Sequence, residues 1–281
     1  MVTTFELTDT GVSALGSADN MNTASAGLPV GSYTTFRTYS GECVLRHENH
    51  VTRLVASAAL LGMSGALDPD TVRVAIGSIL RATGSAESRF RLTFSPPRLF
   101  ISVEPFTPYP SSCYETGVKC ITVAQHRDNP HAKSTAFIAS ASDAYKVLPR
   151  GIHEGLMLSA EDDVLEGLSS NFFALRDGVL HTEQARALVG VTQSLAIEVA
   201  CMVAPNMPQS AQAIKLADLP RVAECFITSV SREIMPVVQI DGAVIGAGAP
   251  GPFTRSLIDG LAALIAREAR SVFARPTVFR V

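Results

Sequence analysis

The chain has 281 residues, 47% hydrophobic and 17% charged, with a formal net charge of −3. That length can bury one large core or two smaller ones, and the mild acidity gives no electrostatic footing for nucleic acid or an anionic membrane. The stretch from Met1 to Thr10 has neither a basic nor an apolar leader pattern, and the longest near-apolar run, Val55 to Leu67, is too short to span a bilayer, so a cytoplasmic protein is expected.

The first 27 residues are rich in small polar side chains and are expected to form a strand plus irregular chain. A strand is expected from Tyr33 to Tyr39, then a turn at Gly41-Glu42 and a partner strand from Cys43 to Leu45. Helical spacing runs from Asn49 to Gly62, with Val51, Leu54, Val55, Ala58 and Leu61 on one stripe. A second helix, Asp68 to Arg81, can be capped by Asp68 or Asp70. From Arg89 to Phe94 the residues alternate cleanly, and a strand from Leu99 to Val103 follows. The domain boundary is expected after the strand Lys119 to Ala124. That gives a smaller α+β domain over 1–124, a polar linker over 125–131 and a larger domain over 132–281. In the second half, Ser134 to Val147 reads as a helix and Gly155 to Ser159 as a short strand. Glu166 stands in a turn before a hairpin that begins with the strand Asn171 to Arg176 and turns at Asp177-Gly178. Val191 to Val203 is helical, Glu224 to Ser229 a strand, Val237 to Ile245 a hairpin, and Gly251 to Arg270 a closing helix. The five cysteines include no C-x-x-C pair and read as free, mostly buried thiols.

Two residues stand out chemically. Lys133, in Asn129 to Ile138 (NPHAKSTAFI), heads a helical stretch among the apolar Ala132, Ala136, Phe137 and Ile138. Such neighbours favour a buried amine that deprotonates readily. Glu166 opens the segment EGLSSNFF, whose Ser169, Ser170 and Asn171 can fix a loop around a carboxylate. Further segments are Leu45 to Leu54 (LRHENHVTRL), Leu188 to Gln193 (LVGVTQ), Thr228 to Val237 (TSVSREIMPV) and the glycine-rich Gly242 to Leu257. Gly246, Gly248 and Gly251 spell G-x-G-x-x-G, but Pro250 interrupts them and no βαβ unit surrounds them, so a dinucleotide site is not expected. His47 and His50 lack the i, i+4 spacing of a helical zinc pair, and no metal is expected.

In this order, over Gly31 to Leu257, these segments resemble the class IV family of pyridoxal-phosphate enzymes. That family includes branched-chain and D-amino-acid aminotransferases and aminodeoxychorismate lyase. The resemblance implies an α+β, two-domain, fold type IV enzyme similar to D-amino-acid aminotransferase. Its cofactor would be pyridoxal 5′-phosphate (PLP), carried by Lys133 as a Schiff base, with Glu166 facing the pyridine nitrogen. The resemblance further implies that Arg46 pairs with the phosphate through its fork of donors, and that Val191, Thr192, Ser229 and Val230 complete the cradle. Leu180 would wall the ring, and Tyr33 and Arg91 are candidate substrate residues. Phe137 stands where a tyrosine often supports the cofactor, Gln193 replaces a usual arginine, and only Ser-Pro-Pro-Arg separates Phe94 from Leu99, which abbreviates one wall of the pocket. The implied reaction is a ping-pong amino transfer between an amino acid, branched-chain or similar, and a 2-oxo acid, in a homodimer. Aminodeoxychorismate lyase is the alternative, because Gly31 to Arg37 (GSYTTFR) is closer to the lyase pattern. A cofactor-free homologue would require Lys133 and Glu166 both to be idle.

Overall fold

The computed structural model describes residues 1–84 and 86–274; the end of the expected larger domain, 275–281, lies outside the described residues. Contacts divide the chain into two compact units, one of Met1–Thr107, Ala132–Ala139 and Ile265–Val281, the other of Pro108–His131 and Ser140–Leu264. The Lys133 segment therefore clusters with the first unit, whereas a cut at 125–131 assigns it to the second.

In the first unit, β1 (Val2–Thr8) and β2 (Gly11–Ala18) form a hairpin, and α1 (Met21–Ala26) is capped by Asn20, whose side chain accepts from the N–H groups of Asn22 and Thr23. Sequence reading sees only one strand there because β2 carries small, mostly exposed residues with no buried alternation to detect. The sheet continues through β3 (Ser32–Tyr39), β4 (Cys43–Val44), β5 (Ser88–Ser95) and β6 (Arg98–Pro105). Its order is Arg270–Ser271, β4, β3, β5, β6, β1, β2. Phe90, Leu92 and Phe94 turn inward from β5, and Phe90 stacks on Phe36 of β3 with ring centroids 5.4 Å apart. Two helices, α2 (His47–Leu60) and α3 (Pro69–Thr83), face the core: α2 buries Val51, Leu54 and Ala58 of its predicted stripe and leaves Val55 half-buried, and α3 buries Val72, Ile76 and Ile79 while Val74 is exposed. Asp68 caps α3 by accepting from Thr71 N–H at 2.9 Å, and Gly84 ends it in the left-handed conformation that glycine tolerates.

The second unit contains α4 (Ser111–Thr116), β7 (Val118–Val123), most of α5 (Ala136–Lys146), β8 (Ile152–Leu158), β9 (Asp163–Gly167), β10 (Asn171–Arg176), β11 (Val179–His181), α6 (Val191–Val203), β12 (Gln209–Ser210), β13 (Ile214–Lys215), β14 (Val222–Ser229), β15 (Glu233–Ile240) and most of α7 (Pro252–Glu268). Strands run in the order β12, β11, β10, β14, β15, β7, β8, β9, β13. Because β9 also pairs with β10 at Glu166 and Asn171, the strands from β10 round to β9 close into a ring. Closure removes exposed strand edges. One face of these strands packs Leu156, Val164, Phe172, Ile227, Met235 and Val237 into a single apolar cluster. On the other face of β10, Phe173 stacks on Phe226 of β14 with centroids 4.7 Å apart.

Phe173 is fully buried in that stack. Phe173→Ala should therefore cost about 3–5 kcal/mol of stability, read by urea denaturation, through lost transfer energy and the cavity left behind. A loss under about 1 kcal/mol would mean that the stack is not part of a fixed core.

Candidate functional site

In the first unit the Lys133 segment is stitched to the start of β3. Tyr33 N–H donates to Lys133 O at 2.8 Å, Thr135 N–H to Gly31 O at 2.8 Å, and Gly31 N–H to Thr135 Oγ1 at 3.0 Å. Helix α2 adds a third hold, since Lys133 N–H donates to the buried Ser57 Oγ at 3.2 Å. These bonds fix the backbone of Lys133 and set its Nζ 4.6 Å from the centre of the Tyr33 ring. Arg91 lies by the same ring, its guanidinium carbon 5.2 Å from the centre, and donates to Ser25 Oγ at 2.8 Å and Met21 O at 3.1 Å.

Arg53, one turn before Ser57 on α2, belongs to this group. Its Nη2 donates to Thr34 Oγ1 at 2.8 Å, while its Nε is shut off from solvent without a partner. Burial pulls its pKa down to about 10, with the Tyr33 phenol acting in the opposite direction. Thr34 Oγ1 also lies 3.0 Å from His50 Nδ1. His50 is held well below its usual pKa by burial first, and then by Arg53, His47 and Lys133, so it is neutral at physiological pH. Neither Arg53 nor Arg91 makes an ion pair with a carboxylate among the described residues. A pair of partly buried cations beside an amine fits an anionic group such as a phosphate or a substrate carboxylate.

Arg46, the arginine carried over from the sequence, lies elsewhere. It precedes α2, seven residues or about 10 Å of helix rise before Arg53, and its Nη2 pairs with Glu268 at 2.6 Å. The motif resemblance points to Arg46 and assigns Arg53 no role. Its clue was available, because i, i+3/4 spacing puts Arg53 on the face that carries the buried His50 and Ser57.

In the second unit Glu166 stands inside β9 rather than in a turn. Its register runs from Met157 of β8 through Glu166 to Asn171 of β10, then Thr228 of β14. Strand β9 is not evident in the sequence because the five residues Asp163 to Gly167 hold two acids and a glycine and show little strand composition. Glu166 is only 3% exposed, and Arg127 Nε donates to its Oε1 at 3.1 Å. Arg127 falls in the stretch read as a linker, which hid it.

Asn171 ties the acid to the other predicted residues of this unit. Its Nδ2 donates to Leu188 O at 2.6 Å, and Gly190 packs so closely that an added Cβ would meet Asn171 Oδ1 at 2.2 Å. Gly190 precedes α6, so Val191 and Thr192 form the first helical residues, where backbone N–H groups are free to bind an anion. Gln193 does not take part in that task. Its Oε1 accepts from Gly190 N–H at 3.1 Å, and its Nε2 donates to Thr182 Oγ1 and Glu183 O at 3.0 Å each. On the other side of Asn171, Thr228 Oγ1 is buried without a partner, and Ser229 with Val230 leads into the turn before β15. Leu180 is buried on β11, opposite Leu175 of β10. An acid, a helix N-terminus and unmet hydroxyl capacity suit a phosphorylated ring with a protonatable nitrogen.

The residues that follow β9, Ser169 and Ser170, belong to a buried ionic cluster. Glu154 on β8 is fully buried and accepts from Ser170 Oγ at 2.8 Å, from Ser169 Oγ at 3.3 Å and from Tyr145 OH. Arg232 Nη1 lies 3.4 Å from Glu154 Oε2 and donates to Ser169 Oγ at 2.9 Å. Burial opposes the charge on Arg232, but Glu154 and then Tyr145 outweigh it and raise the guanidinium pKa. Burial and then the Glu154 charge push the Tyr145 phenol well above its usual range, so it serves as a neutral donor.

The family model described as amino-transferase class IV matches residues 31–240. A Methanocaldococcus jannaschii protein described as a putative branched-chain-amino-acid aminotransferase is 27% identical over 245 residues, covering 81% of this chain and 84% of its own length. D-alanine aminotransferase of Bacillus licheniformis is 25% identical over 243 residues, covering 81% and 84%. Among solved structures, the branched-chain aminotransferase of the thermophilic archaeon Thermoproteus uzoniensis, with norvaline, superposes with a TM-score of 0.79 at 23% identity, over 96% of this chain and 99% of that one. That likeness extends the fold type IV, α+β architecture across nearly the whole chain.

Removing one partner of a buried ion pair costs about 3–5 kcal/mol. Glu154→Gln should destabilise the protein by about that amount, read by urea denaturation, because Arg232 is left buried opposite a neutral amide. The double change Glu154→Gln with Arg232→Met should recover part of the loss. Equal stability of wild type and Glu154→Gln would show that the cluster carries no net charge interaction.

Proposed function

Because this chain belongs to the class IV aminotransferases, which work with pyridoxal 5′-phosphate, we propose that it moves the amino group of a branched-chain or similar amino acid to a 2-oxo acid by a ping-pong sequence. The observation that carries the residue assignments is the grouping of the Lys133 amine with Arg53 and Arg91, two cations that no carboxylate among the described residues pairs with. When bound, the cofactor supplies an electron sink that lets the α-proton leave. Lys133 is the proposed attachment residue and the base that takes that proton and returns it. Tyr33, whose ring lies against both the Lys133 amine and the Arg91 guanidinium, limits where the amine can swing. Arg91 is suited to the substrate carboxylate.

The phosphate is assigned to Arg53 rather than Arg46, since Arg46 already faces Glu268. Val191 and Thr192 at the start of α6, with Ser229 and Val230, are the proposed remainder of the cradle. Glu166, held by Arg127, is the proposed partner of the ring nitrogen, and Leu180 the wall. The branched-chain preference is supported by the description of the Methanocaldococcus relative, and the D-alanine enzyme is the reason to test both enantiomers. Both relatives are described as aminotransferases, which favours transfer over the lyase alternative. A homodimer and a cytoplasmic location complete the proposal; no helix among the described residues is long and apolar enough to cross a membrane.

A panel of L- and D-amino acids with two 2-oxo-acid acceptors should give acceptor-dependent oxo-acid product. Pyruvate released from aminodeoxychorismate without an acceptor would instead favour the lyase. Glu166→Gln should keep the cofactor but lose about two orders of magnitude in rate, or about 3 kcal/mol of barrier, and a near-wild-type rate would remove Glu166 from this role. Arg53→Ala should raise the cofactor dissociation constant about tenfold to hundredfold, corresponding to the roughly 1.5–3 kcal/mol of a charge-assisted contact. Arg46→Ala should leave it nearly unchanged, and the reverse pattern would return the phosphate to Arg46.

A further inference from the structure

A surface cavity of about 410 Å³ in the first unit lies apart from the Lys133 group, at the opposite end of the stretch of α2 that joins Arg46 to Arg53. Its lining includes Arg46, Arg73, Arg267 and Arg270, set against the carboxylates of Glu48 and Glu268. Glu268 is shared, 2.6 Å from Arg46 Nη2 and 2.8 Å from Arg267 Nη2. The lining thus holds four cations and two anions, and Arg73 is further paired with Asp70 at 3.1 Å, which leaves one cation in surplus. Arg270 Nη1 meets only main-chain oxygens among its described partners, Arg267 O at 2.6 Å and Ala269 O at 3.4 Å.

Two further features bear on what would enter. Helix α2, 14 residues long, begins at this cavity. Arg46, the residue before it, adopts φ 53° and gives no side-chain cap, so the first N–H groups of the helix remain available at its positive end. His47 also lines the cavity and is only 6% exposed. Its Nε2 lies 2.8 Å from Pro69 O and so carries the proton, which leaves Nδ1 a buried acceptor without a partner. Unmet buried acceptors are uncommon, and a ligand bearing an O–H would satisfy this one.

We propose that this cavity is a second anion site, separate from the cofactor cradle, that takes a small dianionic phosphate such as hydrogenphosphate or a phosphate monoester. The cationic surplus favours an anion. The arginine forks and the start of α2 supply donors to its charged oxygens, and a P–OH or neighbouring hydroxyl supplies the donor that His47 Nδ1 lacks. The volume falls within the range of small-molecule sites. None of this depends on the transamination assignment.

The test is calorimetric titration of cofactor-saturated enzyme with inorganic phosphate at constant ionic strength, so that the cofactor's own cradle is filled. Wild type should bind one phosphate per chain saturably. Arg270→Gln should weaken it at least about tenfold, and Arg267→Glu, at an exposed position that spares the fold, should do the same. Arg221→Gln, an exposed arginine of the second unit, should bind as wild type does. Absence of saturable binding, unchanged affinity in Arg267→Glu, or an equal loss in Arg221→Gln would overturn the proposal. Phosphate binding with this pattern in a chain that fails to transaminate would leave it standing.

Discussion

The closure of β9 onto β10, through Glu166 opposite Asn171, is the constraint on which the second unit's chemistry depends. A strand at a sheet's edge is free to slip or fray, and a shift of one residue turns each side chain to the other face. Held between β8 and β10, Glu166 has a fixed face and a fixed row. Asn171 carries that order further. One side-chain bond to Leu188 O and close contact with Gly190 bring the start of α6 into line with the acid. Asn171 also pairs with Thr228, and Ser229 and Val230 follow it. Residues distant in sequence are thus set in one frame by strand register.

The first unit solves a different problem, which is to keep cations together without neutralising them. Arg53 and Arg91 are tied by neutral acceptors, namely Thr34 Oγ1, Ser25 Oγ and Met21 O. Such bonds hold direction while leaving the charge uncompensated. An anion that arrives there therefore recovers part of the desolvation energy already spent on the two guanidinium groups. Glu154 and Arg232 in the second unit show the opposite arrangement, a charge pair closed on itself and surrounded by hydroxyl donors. That pair shapes the loop but has little left to offer a ligand.

Much of this was legible in the residues. The alternation of Phe90, Leu92 and Phe94 and the stripes of α2 and α3 carry a periodicity that burial imposes, while Asn171 to Arg176 is legible as a short apolar run, buried on both faces over its first four residues. What escaped had no such periodicity. Strand β2 is small and exposed, and β9 is short and acidic. The Lys133 segment joins the first unit through main-chain bonds to Gly31 and Tyr33, and such bonds leave little trace in side-chain pattern. The motifs single out Lys133 and Glu166, but the proposed choice of Arg53 over Arg46 rests on their partners. Glu268 lies 222 residues beyond Arg46, so no local reading of the motif brings the two together. Arg127 was hidden for the same reason, since its partner is a strand residue 39 positions away.

The central claim is that the Lys133 amine is the group that holds the cofactor. The most direct measurement is borohydride reduction of the PLP-loaded protein, followed by digestion and mass spectrometry of the phosphopyridoxyl peptide. The account predicts the label on Lys133, in the peptide containing NPHAKSTAFI, and its loss in Lys133→Ala. A label on any other lysine of the wild-type protein would contradict it.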